Sequence, residues 1–350
     1  MTSFTITIEP LGAEVSCRDD QTILDACLRE GIWLPHACTH GTCGTCKAVV
    51  LDGEVDLGDA SAFALLDSER AEGAALLCVA CPRSDTVVEG EVDVEEGVDV
   101  HPVRDYTGTV AVLDDVAPDV RRVVIDLDEP LAFNAGQYVQ LRLPDGDTRP
   151  YSVASAPSAP RRIELHVRRT AGGAASDGWI FKDLAVGDRI ALSGPYGRFS
   201  FRSARSEPIL LLGSATGLAP LMSILKTLAE RDNAPRTVLY HGVRTAADLY
   251  EHAWLTAFAK AHQWFEYRPA LSQDTHDGRT GRVPALLAAD YPKAGGHVAY
   301  ICGNPDMVDD TMKALMRARL FPRDIYREDF FDAADRASGR HVVRSPLIRR

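Results

Sequence analysis

Four cysteines, spaced Cys38-x4-Cys43-x2-Cys46 with 31 residues between Cys46 and Cys78, are the residues of this chain best suited to chemistry. Thiolates in this pattern match the plant-type ligand set of a [2Fe–2S] cluster. Two tetrahedral irons that share two sulfides need two thiolates apiece, so four cysteines are the minimum. Three of them lie in one loop, His36-Ala-Cys-Thr-His-Gly-Thr-Cys-Gly-Thr-Cys46. Gly41 and Gly44 let that loop curl, because glycine reaches positive φ without a Cβ clash. Such a site moves one electron at a time, so the rest of the chain must explain where electrons enter and leave.

Other readings of the cysteines fit less well. Cys43-x2-Cys46 with Cys78-x2-Cys81 imitates a four-thiolate zinc site, but zinc leaves Cys38 and the two glycines unexplained. Cys38-Thr-His40 imitates half of a Rieske pattern, yet no second Cys-x2-His pair follows, so His40 reads as a loop residue. A disulfide framework needs an exported chain. The start, Met-Thr-Ser-Phe-Thr-Ile-Thr-Ile, alternates like a strand and shows no export signal, so a cytoplasmic chain is expected. Cys81 is then the spare thiol, and Cys17 and Cys27 read as small core or surface residues.

The 350 residues imply two or three domains. No apolar run approaches the ~20 residues that span a bilayer, so no membrane role is expected. Charge is uneven: residues 1–100 hold 20 Asp/Glu against 5 Lys/Arg, and the remainder 30 against 33. An acidic amino-terminal domain repels nucleic acid and suits either solubility or docking on a basic partner.

The elements that must position the chemistry follow from hydrophobic period. Strands over 3–9, 12–18, 46–51 and 86–92 and a helix over 22–30 make a small α+β domain. The helix is capped by Thr22 and stopped by Gly31. The acidic run 88–99 ends this domain, and His101-Pro102 opens a linker. Strands over 107–114, 121–127, 138–143, 163–168 and 189–193, without helices between them, predict an antiparallel barrel. The Gly194-Pro-Tyr-Gly197 stretch is read as a tight closing turn. From Pro208 strands (208–213, 236–242, 264–270, 297–302) alternate with helices (219–231, 248–261, 282–288, 304–318). That alternation predicts a parallel sheet covered on both faces. The expected domains are 1–97, 105–205 and 206–335, with a linker over 98–104 and a mobile basic tail over 336–350.

Several residues stand at strand ends in this scheme. Arg149-Pro-Tyr-Ser152, with Ser155 after it, offers a permanent cation for phosphate, a ring to cover another ring, and a hydroxyl donor. Gly172-Gly-Ala-Ala-Ser176 precedes a helix-like stretch over 176–184, which suits a pyrophosphate. Gly213-Ser-Ala-Thr-Gly-Leu-Ala-Pro220 sits between a strand and a helix, the context of a dinucleotide loop, though it lacks the full G-x-G-x-x-G pattern. Cys302-Gly-Asn-Pro-Asp-Met307 ends a strand at the same carboxyl edge.

On these motifs residues 104–335 resemble the ferredoxin–NADP reductase superfamily, and residues 1–95 resemble the β-grasp fold of plant-type ferredoxins. The resemblance implies an FAD site at Arg149, Tyr151, Ser152, Ser155, His166, Val167, Gly173 and Ser176. It implies a nicotinamide site at Gly213, Thr216, Gly217, Pro220, Cys302, Gly303 and Pro305. Glu328-Asp-Phe330 resembles the closing Glu-x-Phe motif, whose aromatic ring lies near the flavin. Ser152, Cys302 and Phe330 are the residues expected beside the hydride path. Arg244, a lone arginine with Asp248 nearby after the strand over 236–242, favours NADH over NADPH. With the ferredoxin included, the chain resembles the reductase components of bacterial multicomponent monooxygenases, phenol hydroxylase reductases in particular. Electrons are then expected to pass from NADH through FAD and the cluster to a diiron hydroxylase docking on the acidic domain. The alternative acceptor is a Rieske-type dioxygenase. A monomer is expected.

Overall fold

In the computed structural model residues 1–90, 97–275 and 279–331 are described. The expected tail over 336–350, half of the acidic run 88–99 and the end of the expected strand 86–92 lie outside the described residues. Residues 1–104 and 105–330 form two compact units, each considered separately below.

In the first unit the elements are β1 (Ser3–Glu9), β2 (Ala13–Arg18), α1 (Ile23–Arg29), β3 (Lys47–Asp52), β4 (Val55–Asp56), α2 (Asp67–Ala71), β5 (Ala74–Leu76), β6 (Cys81–Pro82) and β7 (Thr86–Glu89). Alternation in β1 and β2 buries Ile6, Ile8, Val15 and Cys17 on one face. The five-stranded sheet runs β2-β1-β7-β3-β5, with β1 and β7 parallel and the other pairs antiparallel. Thr22 caps α1 by accepting from the amide of Asp25 (3.2 Å), and the helix buries Ile23, Leu24, Ala26, Cys27 and Leu28. The short α2, β5 and the β4–β6 ribbon were not expected, since none is long enough to show a hydrophobic period.

The second unit begins with a barrel: β8 (Arg104–Ala117), β9 (Val120–Leu127), β10 (Tyr138–Arg142), β11 (Thr148–Ser152), β12 (Arg162–Arg168) and β13 (Arg189–Tyr196). Its sheet order is β11-β10-β13-β8-β9-β12, and a bridge between Val153 and Leu165 draws the two edges together. Val123, Ile125, Val139, Ile163, Leu165 and Val167 fill the interior. Two expectations are corrected here. Gly194, Pro195 and Tyr196 belong to β13 rather than to a turn, and the helix-like stretch is a single π-helical turn, Ser176–Ile180. Pro150 is tolerated because β11 is an edge strand.

The parallel half follows: β14 (Ile209–Ser214), α3 (Leu218–Ala229), β15 (Thr237–Val243), α4 (His252–Ala261), β16 (Phe265–Leu271), α5 (Val283–Asp290), β17 (Val298–Gly303), α6 (Pro305–Arg317) and β18 (Ile325–Asp329). The order β16-β15-β14-β17-β18 is parallel throughout. Ile209 and Leu211 pack in one apolar cluster and Leu210 and Leu212 in another, so both faces are covered. The order reverses between β14 and β17, which makes their carboxyl ends the crevice of the sheet. Helix α4 starts later than expected. Asp248 closes a capping box on Thr245, and Glu251 is left-handed (φ 56), so the helix cannot run through.

Candidate functional site

Cys38, Cys43, Cys46 and Cys78 are all buried, and none is in a disulfide. Three come from the loop between α1 and β3. The fourth follows β5, held beside the loop by the bond from the Leu77 amide to the Cys46 carbonyl (3.1 Å). Gly41 and Gly44 both take φ near +79, as expected. Hydrogen bonds with Cys43 and Cys78 pull the Cys38 thiol below its usual range. Contact with Cys38, then burial, pushes Cys43 up; contacts with Cys38 and Cys46 do the same for Cys78. Four buried sulfurs crowded in this way fit a pair of tetrahedral irons. His40 serves the loop, its Nδ1 lying 2.5 Å from the Cys38 carbonyl.

In the second unit β11 carries Arg149, Tyr151 and Ser152. Arg149 is half-buried at the strand edge, where Asp147 (3.3 Å) and the Thr148 carbonyl (2.8 Å) hold its guanidinium. Tyr151 packs against the barrel core, and burial pushes its phenol up. A Cβ on Gly173 would crowd this turn, lying 2.9 Å from Ser176 Oγ and 3.0 Å from the Thr170 carbonyl. Ser176 Oγ accepts the Thr170 amide (3.1 Å), closing the turn. Arg149, Tyr151 and this glycine turn together offer a cation, an aromatic ring and a tight turn, a set of groups that would suit an FAD. The Val167 side chain is fully buried in the barrel core, so a ligand would meet this residue through its main chain.

The crevice of the parallel sheet opens opposite β11. A Cβ on Gly217 would lie 2.2 Å from the Cys302 carbonyl oxygen, and one on Gly303 (φ +135) 2.4 Å from Ser214 Oγ. These two glycines therefore let the turn after β14 press directly on the end of β17, with Ser214 Oγ accepting the Asn304 amide (3.1 Å). Thr216 is buried in that turn and Pro220 in the first turn of α3. Asn304 caps α6 and Pro305 is its first residue. Ser155, also buried, accepts through its carbonyl from Ser223 Oγ on α3 (2.7 Å). Phe330 donates its amide to the Gly303 carbonyl (2.8 Å) and packs on the cluster that holds Cys302.

Ser152, Glu328 and Cys302 come together from three strands. Glu328 Oε2 accepts from Ser152 Oγ (3.3 Å) and from Cys302 Sγ (3.9 Å). Burial, only partly offset by the Ser152 hydrogen bond, raises the Glu328 carboxyl from 4.5 to about 8. Burial likewise pushes the Cys302 thiol up. The site thus holds a proton on the Glu328 carboxyl at neutral pH, between a hydroxyl and a thiol. Because the folded pKa is the higher one, the unfolded chain releases this proton first as pH rises from 4.5 to about 8. Stability therefore falls across that window. Calorimetry of the cofactor-free protein should find Glu328→Gln on the order of 10 °C more stable than wild type at pH 8, the gap closing towards pH 4.5. A gap that does not change with pH would contradict this.

Arg244 is exposed after β15, and Asp248 does not serve it: its carboxylate accepts from the Thr245 amide and hydroxyl (2.9 Å each). Asp274 reaches the same loop, accepting the Ala246 amide (2.8 Å). Sequence reasoning missed Asp274, 30 residues beyond Arg244, because only sheet order brings them together. His166 is buried between Glu164 (2.8 Å) and Tyr250 (3.2 Å), neither of which carried a sequence motif. Among the described residues no helix is long and apolar enough to cross a membrane.

Three family descriptions match the chain: "2Fe-2S iron-sulfur cluster binding domain" over residues 6–83, "Oxidoreductase FAD-binding domain" over 108–201 and "Oxidoreductase NAD-binding domain" over 211–313. The chain is 45% identical to the phenol 2-monooxygenase reductase component DmpP of Pseudomonas sp. strain CF600, over 99% of both chains. It is 44% identical to the reductase subunit of an aromatic O-demethylase from Amycolatopsis, covering 94% of this chain and 100% of that one. Among solved structures, the Amycolatopsis cytochrome P450 reductase GcoB superposes with a TM-score of 0.88 at 43% identity, over 94% of this chain and 99% of that one. The ferredoxin reductase of carbazole 1,9a-dioxygenase superposes with a TM-score of 0.80 at 26% identity, over the same shares.

Proposed function

Because this chain belongs to the family of oxygenase reductase components that join a 2Fe-2S domain to FAD- and NAD-binding oxidoreductase domains, we propose that its acceptor is the diiron hydroxylase of a multicomponent monooxygenase acting on phenols, related aromatics or alkanes. The chain itself is an NADH-dependent electron-transfer reductase that uses FAD and a [2Fe–2S] cluster and serves an oxygenase component. FAD, when bound, converts the electron pair of a hydride into single electrons that the cluster can carry. The protein contributes position and protons. Tyr151 and Phe330 flank the ring site, Arg149 meets phosphate charge, and Ser152, Glu328 and Cys302 keep a proton at the point of transfer. We assign the cluster to residues 1–97, FAD to 105–205 and NADH to 206–335, in a chain that works as a monomer.

The near full-length identity to a phenol 2-monooxygenase reductase carries the choice of acceptor. The solved Amycolatopsis structure described as a cytochrome P450 reductase favours a P450 as the second reading. NADH rather than NADPH is supported by Asp248 and Asp274, two carboxylates hydrogen-bonded to the loop of Arg244 that would repel a 2′-phosphate. Reconstitution decides the acceptor. Coupled NADH oxidation and product formation are expected with a diiron phenol hydroxylase, and much slower turnover with a P450 or a Rieske oxygenase. Faster turnover with either of the latter, or with NADPH as donor, would reverse the assignment.

The docking face we assign lies beside the cluster loop. The Ser61 amide donates to the Gly41 carbonyl (3.0 Å), so the segment after β4 rests on the loop and leaves Phe63 (47%) and Leu66 (44%) exposed. Exposed Asp59 and Asp67 flank them. An apolar centre with an acidic rim fits an acceptor with a basic rim. Phe63→Ala is expected to raise the KM for the oxygenase roughly tenfold while ferricyanide reduction stays unchanged. An unchanged KM would move the docking face elsewhere.

A further inference from the structure

Ala215 is left-handed (φ +47) immediately before the Thr216–Gly217 turn, a conformation that a residue with a side chain adopts only under constraint. Its carbonyl is held from two sides. His241 on β15, wholly buried, places Nε2 at 3.2 Å, and the hydroxyl of buried Tyr250 lies at 3.4 Å. Burial lowers His241 to about 4. The ring is therefore neutral, and the nitrogen facing the Ala215 oxygen is the one that carries its proton.

The Tyr250 ring meets the His241 and His166 rings edge-on, at centroid distances of 5.3 and 5.1 Å. His166 Nε2 donates to Glu164 (2.8 Å), which leaves Nδ1 as an acceptor, so the Tyr250 hydroxyl shares its one proton between Nδ1 (3.2 Å) and the Ala215 carbonyl as a three-centre bond. Lys226 of α3 sits 3.5 Å from the other Glu164 oxygen. Burial acts to raise the Glu164 carboxyl, but His166, Lys226 and Arg122 bring it down to about 2, so it remains an acceptor. This line of contacts starts on barrel strand β12 and ends on the turn that Gly217 presses against Cys302.

We propose that His241 and Tyr250, with His166 and Glu164 behind Tyr250, are positioning residues. By clamping the Ala215 carbonyl they fix the Thr216–Gly217 turn, and with it the nicotinamide end of NADH, relative to barrel strand β12. The proposal rests on the NADH-reductase reading above. Neither residue touches the reacting atoms, so their effect is on alignment. Alignment is where small displacements are expensive, because transfer needs the reacting atoms in near-contact geometry.

In the FAD-loaded protein, Tyr250→Phe and His241→Ala are each expected to slow the limiting rate of anaerobic flavin reduction by NADH about tenfold, with Kd for NADH within about twofold. His241→Gln keeps an amide donor in reach of Ala215 and should recover to within about threefold of wild type. Independently of activity, deuterium exchange in the peptide 213–221 should quicken about tenfold in Tyr250→Phe, with or without FAD. Exchange and limiting rate both within twofold of wild type would overturn the proposal and leave the reductase reading standing. A loss that appears only as weaker NADH binding or as lower FAD content would overturn it too. A wild-type flavin that NADH does not reduce would remove both readings together.

Discussion

Cys78→Ser is expected to keep NADH-driven ferricyanide reduction near the wild-type rate and to abolish delivery to the oxygenase, a loss of at least ~100-fold. Ferricyanide can take electrons from the flavin directly, whereas the oxygenase depends on the cluster. The other three thiols share one loop, while Cys78 alone arrives from the far side of β5. Its removal therefore takes away a ligand without touching the curl set by Gly41 and Gly44. The Leu77–Cys46 main-chain bond does not involve the thiol, so the first unit should fold. Iron and sulfide analysis, the cluster's visible absorption and the two assays check this. Loss of both activities, or of neither, would break the proposed order of carriers.

Gly217→Ala should be nearly as damaging at the other end of the path. Gly217 has ordinary helical dihedrals (φ −59), so alanine meets no backbone strain there. The obstacle is space: the new methyl would stand 2.2 Å from the Cys302 carbonyl oxygen and 2.6 Å from its carbon. Main-chain atoms cannot swing aside as a side chain does, so the turn or the end of β17 must move. We expect flavin reduction by NADH to fall by ~100-fold, because the displaced turn is the one we propose for the nicotinamide. FAD content and reduction by dithionite should stay normal, since β11 and the Gly173 turn lie on the barrel. Near-normal NADH kinetics would mean that the approach of the two strand ends is not needed for transfer.

The legible parts of this protein were those in which chemistry forces a local spacing. The cysteine loop could be read directly, as could the shift from alternating strands to strand–helix alternation near Pro208. Arg149, Tyr151 and Ser152 could be read because they are neighbours in one strand. What stayed hidden depends on contacts across the sheet. The Gly217–Cys302 approach joins residues far apart in sequence, and nothing in either segment announces it. Tyr250, His241 and Glu164 sit in segments whose apolar pattern already explained their burial. Val167 is buried in the barrel core, so a ligand there would meet its main chain rather than its side chain, a distinction that residue type alone does not carry. Phe63 and Leu66 were invisible because exposure is a property of the folded surface.

Ser152 and Glu328 touch across 176 positions of chain. A ribosome adding ~5–20 residues per second makes the barrel strand roughly 10–35 s before it makes β18. Until then the nascent polypeptide has its hydroxyl but lacks the carboxyl that answers it. The contact between the barrel and the sheet edge therefore closes only after β18 has been made, by nothing more than the order in which the sheet is laid down.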